Sequence, residues 1–424
     1  MGDGGDFVTE LQVPGRTRPL TLDRRTGIRL AVIGIAGLAA ITATWLFGRG
    51  YRFFDMRIYH DAATWWSRGG DLYGFAEPKY GLGFTYPPFA AILLLPTALV
   101  SAVTAGWINL VASVTAAGVI SWWLLGPVAD RYGWSRWYAV ALAVPVIGTT
   151  DPIRETIGYG QVNLILMGLV VADLVALRRG NRWAGVGVGL AAAIKLTPGL
   201  FLIYFLLSRQ TRAAATAAVA ATGATLFGFL AAPSASWSYW TGVLWDTGRV
   251  GQTDLTPNQS LAGWLARLYD SPDAPTLLWL TFGSLILAVG LSRAVAAHRE
   301  EDELTAFTLV GLTTVAVSPV SWTHHIVWIA PALLVLGDTA LHRRSWWHGV
   351  TALAVYGIFV TSPMWWYEHK FESHWADGFH GMLIENAFII VVVALVAAMP
   401  WRPGADPAHQ PFPGRRLASV RNAW

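Results

Sequence analysis

Residues 80–129 read YGLGFTYPPFAAILLLPTALVSAVTAGWINLVASVTAAGVISWWLLGPVA, fifty consecutive positions without Asp, Glu, Lys or Arg. A soluble domain carries about 25% charged residues and has no use for such a run. A bilayer core about 30 Å thick, crossed by roughly 20 apolar helical residues, calls for one. At about 1.5 Å per residue the run is too long for two crossings and too short for three. Residues 86–104, with Pro87, Pro88 and Pro96, are therefore expected to turn back without fully crossing.

The rest of the chain repeats the signal. Charge-free stretches recur at 30–48, 137–150, 156–172, 183–194, 196–208, 213–245, 274–292, 304–337, 345–367 and 386–401. With 54% hydrophobic and 13% charged residues over 424 positions, the sequence reads as an all-α integral membrane protein of about eleven or twelve transmembrane helices. Residues 1–26 and 402–424 read as disordered cytosolic tails around one polytopic domain at 27–401. No window resembles a signal peptide, and no internal repeat stands out. The absence of Cys excludes disulfide scaffolds, thiolate metal sites and thiol nucleophiles. The pI of about 9.4 comes with a net charge of +4 and three lysines, without a basic stripe, so nucleic acid is not an expected partner.

Orientation follows the distribution of Arg and Lys. With a cytosolic N-terminus, segments 1–29, 127–136, 173–182, 209–212, 293–303, 338–345 and 402–424 are internal and hold 20 of the 30 basic residues. Basic clusters flank 183–208 on both sides, so two short helices are expected to rise to Lys195 and descend from Pro198. That keeps Lys195 near the outer face, where it avoids the roughly 2.5–3.5 kcal/mol cost of a Lys at the bilayer centre.

Polar residues then gather on the outer side. Asp55, in Phe53-Phe54-Asp55-Met56-Arg57-Ile58-Tyr59-His60-Asp61, sits just above the first span, near Trp65, Trp66, Tyr73 and Tyr80. The loop is either an interfacial helix with snorkelling charges or the carrier of a general base, since desolvation among aromatics raises a carboxylate's proton affinity. Lys195 is a snorkelling cation or a phosphate ligand. His324 and His325, beside Ser318-Pro319, are structural, or a pH sensor, a metal pair or phosphate donors. Adjacent helical positions point about 100° apart, so a shared metal is poor geometry. Gln161 and Asn163, and Asn258 and Gln259, carry amides suited to sugar hydroxyls. Asn258-Gln259-Ser260 also fits a glycosylation sequon. Trp365, Trp366, Tyr367, Glu368, His369 and Lys370 form an aromatic outer loop better suited to interfacial anchoring than to sugar stacking. There is no Asp-x-Asp, phosphate-loop or dinucleotide motif. A donor carried on a lipid needs none of these, and no metal or cofactor is expected.

Taken together, Phe54-Asp55-Met56, Tyr86-Pro87-Pro88-Phe89, Gly160-Gln161-Val162-Asn163, Lys195-Leu196-Thr197-Pro198, Asn258-Gln259-Ser260 and Ser318-Pro319…Trp322…His324-His325, in that order, resemble a known set. They are similar to the polyprenol-phosphate-mannose-dependent α-(1→2)-mannosyltransferases of mycobacteria, in glycosyltransferase family 87, with the GT-C fold and short or re-entrant helices on the outer face. That family includes the enzyme adding the fifth mannose to phosphatidylinositol mannosides. The similarity runs from about residue 28 to 400. The Arg-, Ala- and Gly-rich composition suits a high-GC actinobacterium. The resemblance implies Asp55 as catalytic base, with Asp61 the close rival, and a donor pocket lined by Lys195, His324 and His325. Arg57, Tyr86 and Trp322 join the four amides as sugar or acceptor candidates. The implied partners are polyprenyl-phosphate-mannose, a phosphatidylinositol mannoside or lipomannan-type glycolipid, and the plasma-membrane bilayer. The competing readings are a lipid or sugar transporter, disfavoured by ionisable groups on one face and unmatched halves, and a GT-C enzyme moving another sugar.

Overall fold

The structure, a computed structural model, describes residues 23–367 and 378–405. Most of both tails, and Glu368, His369 and Lys370 of the last aromatic loop, lie outside these residues. Helices account for the fold, and the described residues contain no strand beyond one isolated β-bridge. The first half comprises α1 (Arg24–Phe47), α2 (Phe54–Ser67), α3 (Pro88–Leu94), α4 (Ala102–Arg131), α5 (Arg136–Gly148), α6 (Asp151–Tyr159), α7 (Asn163–Arg178), α8 (Val186–Ile194) and α9 (Leu200–Leu207). The second comprises α10 (Thr211–Ala231), α11 (Pro233–Thr241), α12 (Leu261–Leu268), α13 (Thr276–Arg299), α14 (Glu303–Val317), α15 (Ile329–His342), α16 (Trp346–Thr361), α17 (Gly378–Glu385) and α18 (Ala387–Ala398).

Five helical segments are long and apolar enough to cross a bilayer alone, namely α1, α4, α10, α13 and residues 323–342. Two bent pairs, α6 with α7 and α17 with α18, bring the number to seven. The expected eleven or twelve is approached only by adding the four shorter apolar helices at 88–99, 136–148, 197–207 and 303–317. Residues 88–99 fold as α3 and a short 3₁₀ turn, about 20 Å at most, so this stretch does not span. Residues 156–172 do not form one span: 156–159 belong to α6, which meets α7 at 116°. The break falls at Gly160 (φ 75°), where a side chain would be strained and its Cβ would lie 2.6 Å from that of Met56.

The centre of the bundle is α14. Almost every residue of it is buried, as expected of a helix that is apolar on all sides. By contrast α1 buries none and lies at the periphery against α5. Helix α8 starts inside the bundle, and its first turn is capped by Asp173 of α7, whose Oδ2 accepts from the Val188 N–H at 2.6 Å. An unsatisfied helix end would be costly at that depth.

One end of α14 is tied by charge. The buried Arg402 guanidinium donates to Asp302 (2.6 and 3.0 Å) and to Asp338 (2.7 Å), and Arg131 reaches Asp338 at 2.9 Å. Beside them Glu303 accepts from Tyr204 (2.7 Å) and Gln210 (2.9 Å). Parts of segments 127–136, 209–212, 293–303, 338–345 and 402–405, all assigned to one side by their charge, thus meet on one face. Arg402 is packed into the bundle rather than starting a tail. The residues singled out for chemistry lie at the other end of α14, about 22 Å away by helical rise.

Replacing Arg402 by Met leaves Asp302 without its guanidinium and should cost about 3–5 kcal/mol. Replacing Arg136, which pairs with Asp130 at an exposed position, should cost under about 1 kcal/mol. Thermal unfolding of both variants in detergent checks this, and equal melting temperatures would contradict it.

Candidate active site

Asp55 sits in the first turn of α2, and a tight reversal from α1 puts it there. Arg52 and Phe53 both adopt left-handed backbone conformations (φ 49° and 54°), unusual for residues with side chains. The Phe53 N–H donates to the Gly158 carbonyl at 2.8 Å, and the Phe53 ring seats directly on Gly106, where any side chain would collide with it. The cost of two such residues, on the order of 1–3 kcal/mol each, is offset by this seat and an edge contact with Trp107.

Gln161, just past the Gly160 break, organises what surrounds the carboxylate. Its amide nitrogen donates to Asp55 Oδ2 (2.6 Å) and to the Tyr59 hydroxyl (2.9 Å), while its oxygen accepts from the Tyr86 hydroxyl (2.8 Å). Tyr59 donates in turn to Tyr86 (3.0 Å), closing a three-membered ring of hydrogen bonds. Asn109 of α4 holds the Gln161 carbonyl (3.2 Å), and the Tyr73 hydroxyl holds that of Tyr86 (2.8 Å). Asp55 Oδ1 takes no hydrogen bond from a described residue. Burial pushes the Asp55 carboxyl up to about 6, against the opposing pull of the Gln161 hydrogen bond and the Lys195 charge.

On the other side of Tyr86 lies Lys195, where α8 ends and the chain turns through Pro198 into α9. Its ammonium stands 5.3 Å from the Tyr86 ring centroid, donates to Asn163 Oδ1 (3.1 Å) and lies 2.9 Å from His325 Nε2. Lys195, Asn163 and His325, with the hydroxyls of Thr197, Thr314 and Ser321, form the polar part of a cavity of about 520 Å³. Its remaining wall is largely apolar and includes Met167, Val170, Phe201, Val315 and Trp328. From Asn163 to Val170 it follows α7 for about 10 Å.

Several residues singled out in the sequence stand elsewhere. His324 does not line the cavity. It is buried behind His325, ring centroids 4.6 Å apart, and packs on Tyr159. The four amides expected to meet sugar hydroxyls are engaged by the protein itself. Gln161 bonds as described. Asn163 accepts from Lys195 and donates an N–H to the His324 carbonyl (2.8 Å). Asn258, fully buried, accepts from Ser321 N (2.9 Å) and donates to Thr253 O (2.8 Å) and Pro319 O (3.2 Å). Gln259 donates to Thr256 O (2.7 Å) and Glu385 O (2.8 Å) and accepts from Ile389 N (3.2 Å). A buried amide must be satisfied on both ends, and here protein groups do it. Asn258 and Gln259 therefore hold the 318–323 turn in place. Trp322 faces Asn258 across the β-bridge and covers Gly251. Arg57 is exposed, on the face of α2 opposite Asp55 and Tyr59. Asp61 pairs with His60 at an exposed position (2.7 Å) and is not part of the cluster.

Tyr59, Asn109, Thr156 and Glu155 belong to the site or its support without having been singled out. For Glu155 a signal exists. Asp151, Arg154 and Glu155 are three charges within five residues between two apolar stretches, and all three are buried.

Membrane-spanning helices thus carry a carboxylate held by an amide and, beyond Tyr86, a cation heading an apolar-walled cavity. The pattern of glycosyltransferase family 87 matches residues 84–319, and the chain belongs to that family. It is 38% identical over 329 residues, 73% of this chain and 76% of the relative, to a polyprenol-phosphate-mannose-dependent α-(1→2)-phosphatidylinositol mannoside mannosyltransferase of Mycobacterium tuberculosis. A Mycolicibacterium smegmatis protein of the same name is 36% identical over 83% of this chain and 86% of its own. A M. tuberculosis protein named as the corresponding phosphatidylinositol pentamannoside mannosyltransferase is 29% identical over 91% and 88%. No solved structure matches.

If Asp55 must be ionised to accept a proton, kcat/KM falls tenfold per unit below about pH 6. Gln161→Leu removes a hydrogen bond that favours the charged form, so its acid limb moves to higher pH. Initial rates across pH in proteoliposomes check both; an unmoved limb would count against this role of Gln161.

Proposed function

We propose that the protein moves mannose from polyprenyl-phosphate-mannose to the 2-hydroxyl of a mannose on a phosphatidylinositol mannoside or lipomannan-type lipid, with inversion, at the outer face of the plasma membrane. The observation that carries the reading is the arrangement around Tyr86, with the Gln161-held Asp55 on one side and Lys195, at the polar end of the apolar cavity, on the other. The names of the relatives supply the donor and acceptor classes. The positive-inside distribution supports the outer face.

In this reaction the isoprenoid chain lies along Met167, Val170 and Phe201, leaving its phosphate beside Lys195 and His325. The acceptor 2-hydroxyl meets Asp55 Oδ1. As the acceptor oxygen attacks the anomeric carbon, its proton passes to Asp55. The bond from anomeric carbon to phosphate oxygen breaks, its electron pair leaving with polyprenyl phosphate. Lys195, held by His325, offsets the charge that develops there, a contribution of a few kcal/mol per contact in comparable sites. Gln161 keeps the carboxylate aimed, and Tyr86 holds Gln161.

Asp55→Asn should fold normally and lose transfer by about 10³-fold, within the range for removal of a general base. Lys195→Met should reduce kcat by about 10²-fold or more. The assay is radiolabelled mannose transfer from polyprenyl-phosphate-mannose to phosphatidylinositol mannosides in proteoliposomes, with linkage analysis of the product. Wild-type-like turnover by Asp55→Asn would refute the base assignment. A labelled product lacking an α-(1→2) mannose would refute the acceptor.

A further inference from the structure

Behind the two histidines lies a carboxylate that the reaction above does not use. Glu155, on α6, is fully buried. Its Oε2 accepts from the Thr323 hydroxyl and lies 3.8 Å from His324 Nδ1, while Oε1 has no hydrogen-bond partner among the described residues. Among the same residues, neither ring nitrogen of His324, nor Nδ1 of His325, has one either. The next residue of α6, Thr156, donates to the His324 carbonyl at 3.0 Å, beside the bond from Asn163. Two adjacent residues of α6 and one of α7 thus grip the turn that carries His325 to Lys195.

We propose that Glu155 is a positioning residue for the donor phosphate, fixing the His324 imidazole by its carboxyl oxygen and through it the His325–Lys195 pair. Oε2, which already accepts from Thr323, selects the tautomer with hydrogen on the facing Nδ1, because the alternative would set two acceptors against each other. Closing the 3.8 Å gap by about 1 Å would make an ordinary N–H···O bond. The His324 ring then stands nearly perpendicular (88°) behind His325 and restricts its swing, so His325 Nε2 stays on the Lys195 ammonium. Other charges nearby do not replace Glu155 in this. Asp151 is paired with Arg154 at 3.0 Å, and Arg49 stacks on Trp365. The hydroxyl-bearing neighbours Tyr51 and Tyr159 contribute rings to the wall.

The inference rests on the proposed reaction, and a plain structural role for Glu155 is the rival to exclude. Glu155→Leu removes the oxygen that faces His324, and Glu155→Gln keeps one. Thr323→Val removes the hydroxyl and leaves the carboxyl group. We expect Glu155→Leu to lower kcat about tenfold or more with the acceptor KM within about twofold, and Glu155→Gln to restore kcat to within about threefold of the wild type. Thr323→Val should change kcat less than about threefold. In ¹⁵N-histidine-labelled protein, His324 should show a protonated Nδ1 in the wild type and in Glu155→Gln, and lose that preference in Glu155→Leu. Wild-type kcat and an unchanged tautomer in Glu155→Leu, or a loss of kcat in Thr323→Val equal to that of Glu155→Leu, would overturn the proposal. A wild-type enzyme that transfers no mannose would overturn the proposed reaction, and the tautomer readout would still decide what Glu155 does to His324.

Discussion

The side-chain amide of Gln161 offers one acceptor and two donors, and the protein binds every one of them. In a buried setting an amide with one end free would cost about 1–3 kcal/mol. The hydroxyl ring with Tyr59 and Tyr86 could run either way, and the Asp55 carboxylate, an acceptor, admits one orientation of Gln161. With that orientation set, the amide points N–H and not oxygen at Asp55. A flipped amide would turn an acceptor on the carboxylate and repel its charge. The aim of the carboxylate, the tilt of Tyr86 and the contact of Lys195 with its ring all follow from one side chain whose freedom has been removed. Gly160 supports this from below, because no other residue lets α6 end so close to Met56 and still present Gln161 to α2.

Three breaks in helical structure meet here: Gly160 between α6 and α7, Lys195 before the turn into α9, and Ser318–Trp322 after α14. Irregular backbone at membrane depth is tolerated where protein groups satisfy it, and those groups are identifiable. Asn163 and Thr156 take the His324 carbonyl, Asn258 takes Ser321 N–H and the Pro319 carbonyl, and Gln259 N–H meets the Ser321 carbonyl at 2.8 Å. The amides that stand out against an apolar sequence are therefore the means by which the chain can be irregular at all. Opposite them, the Arg402 cluster ties the far end of α14, so the central helix is fixed at both ends.

Much of this was legible in the sequence because polar residues are conspicuous in an apolar chain. Asp55, Lys195, Gln161, Asn163 and His325 fall in one connected cluster, and the two short helices meeting near Lys195 follow from the basic residues that flank them. The partner of each polar residue was not legible. An isolated Asn or Gln signals that something must be bonded, and one sequence does not say whether that is a sugar or a carbonyl sixty residues away. The roles expected for Asn258 and Gln259 fail on this point. Adjacent histidines likewise give no hint which ring faces a cavity, and the crosswise run of α6 was hidden because buried charges such as Glu155 read as the ends of spans.

Keeping Asp55 and Lys195 apart has a consequence for the proposed reaction. A carboxylate and an ammonium in direct contact neutralise each other, and separating them later would be costly in a poorly solvated site. Tyr86 stands between them. It offers the cation its ring face, an attraction of about 0.5–2 kcal/mol, and reaches the carboxylate only through Gln161. Lys195 is otherwise held by neutral groups, the Asn163 oxygen and the His325 nitrogen. Its charge is thus damped but not cancelled, and an arriving phosphate meets an available cation. Asp55, restrained by one amide hydrogen, keeps a proton affinity suited to accepting from a hydroxyl. A single tyrosine thereby lets two opposite charges act at neighbouring points of one reaction, each on its own atom.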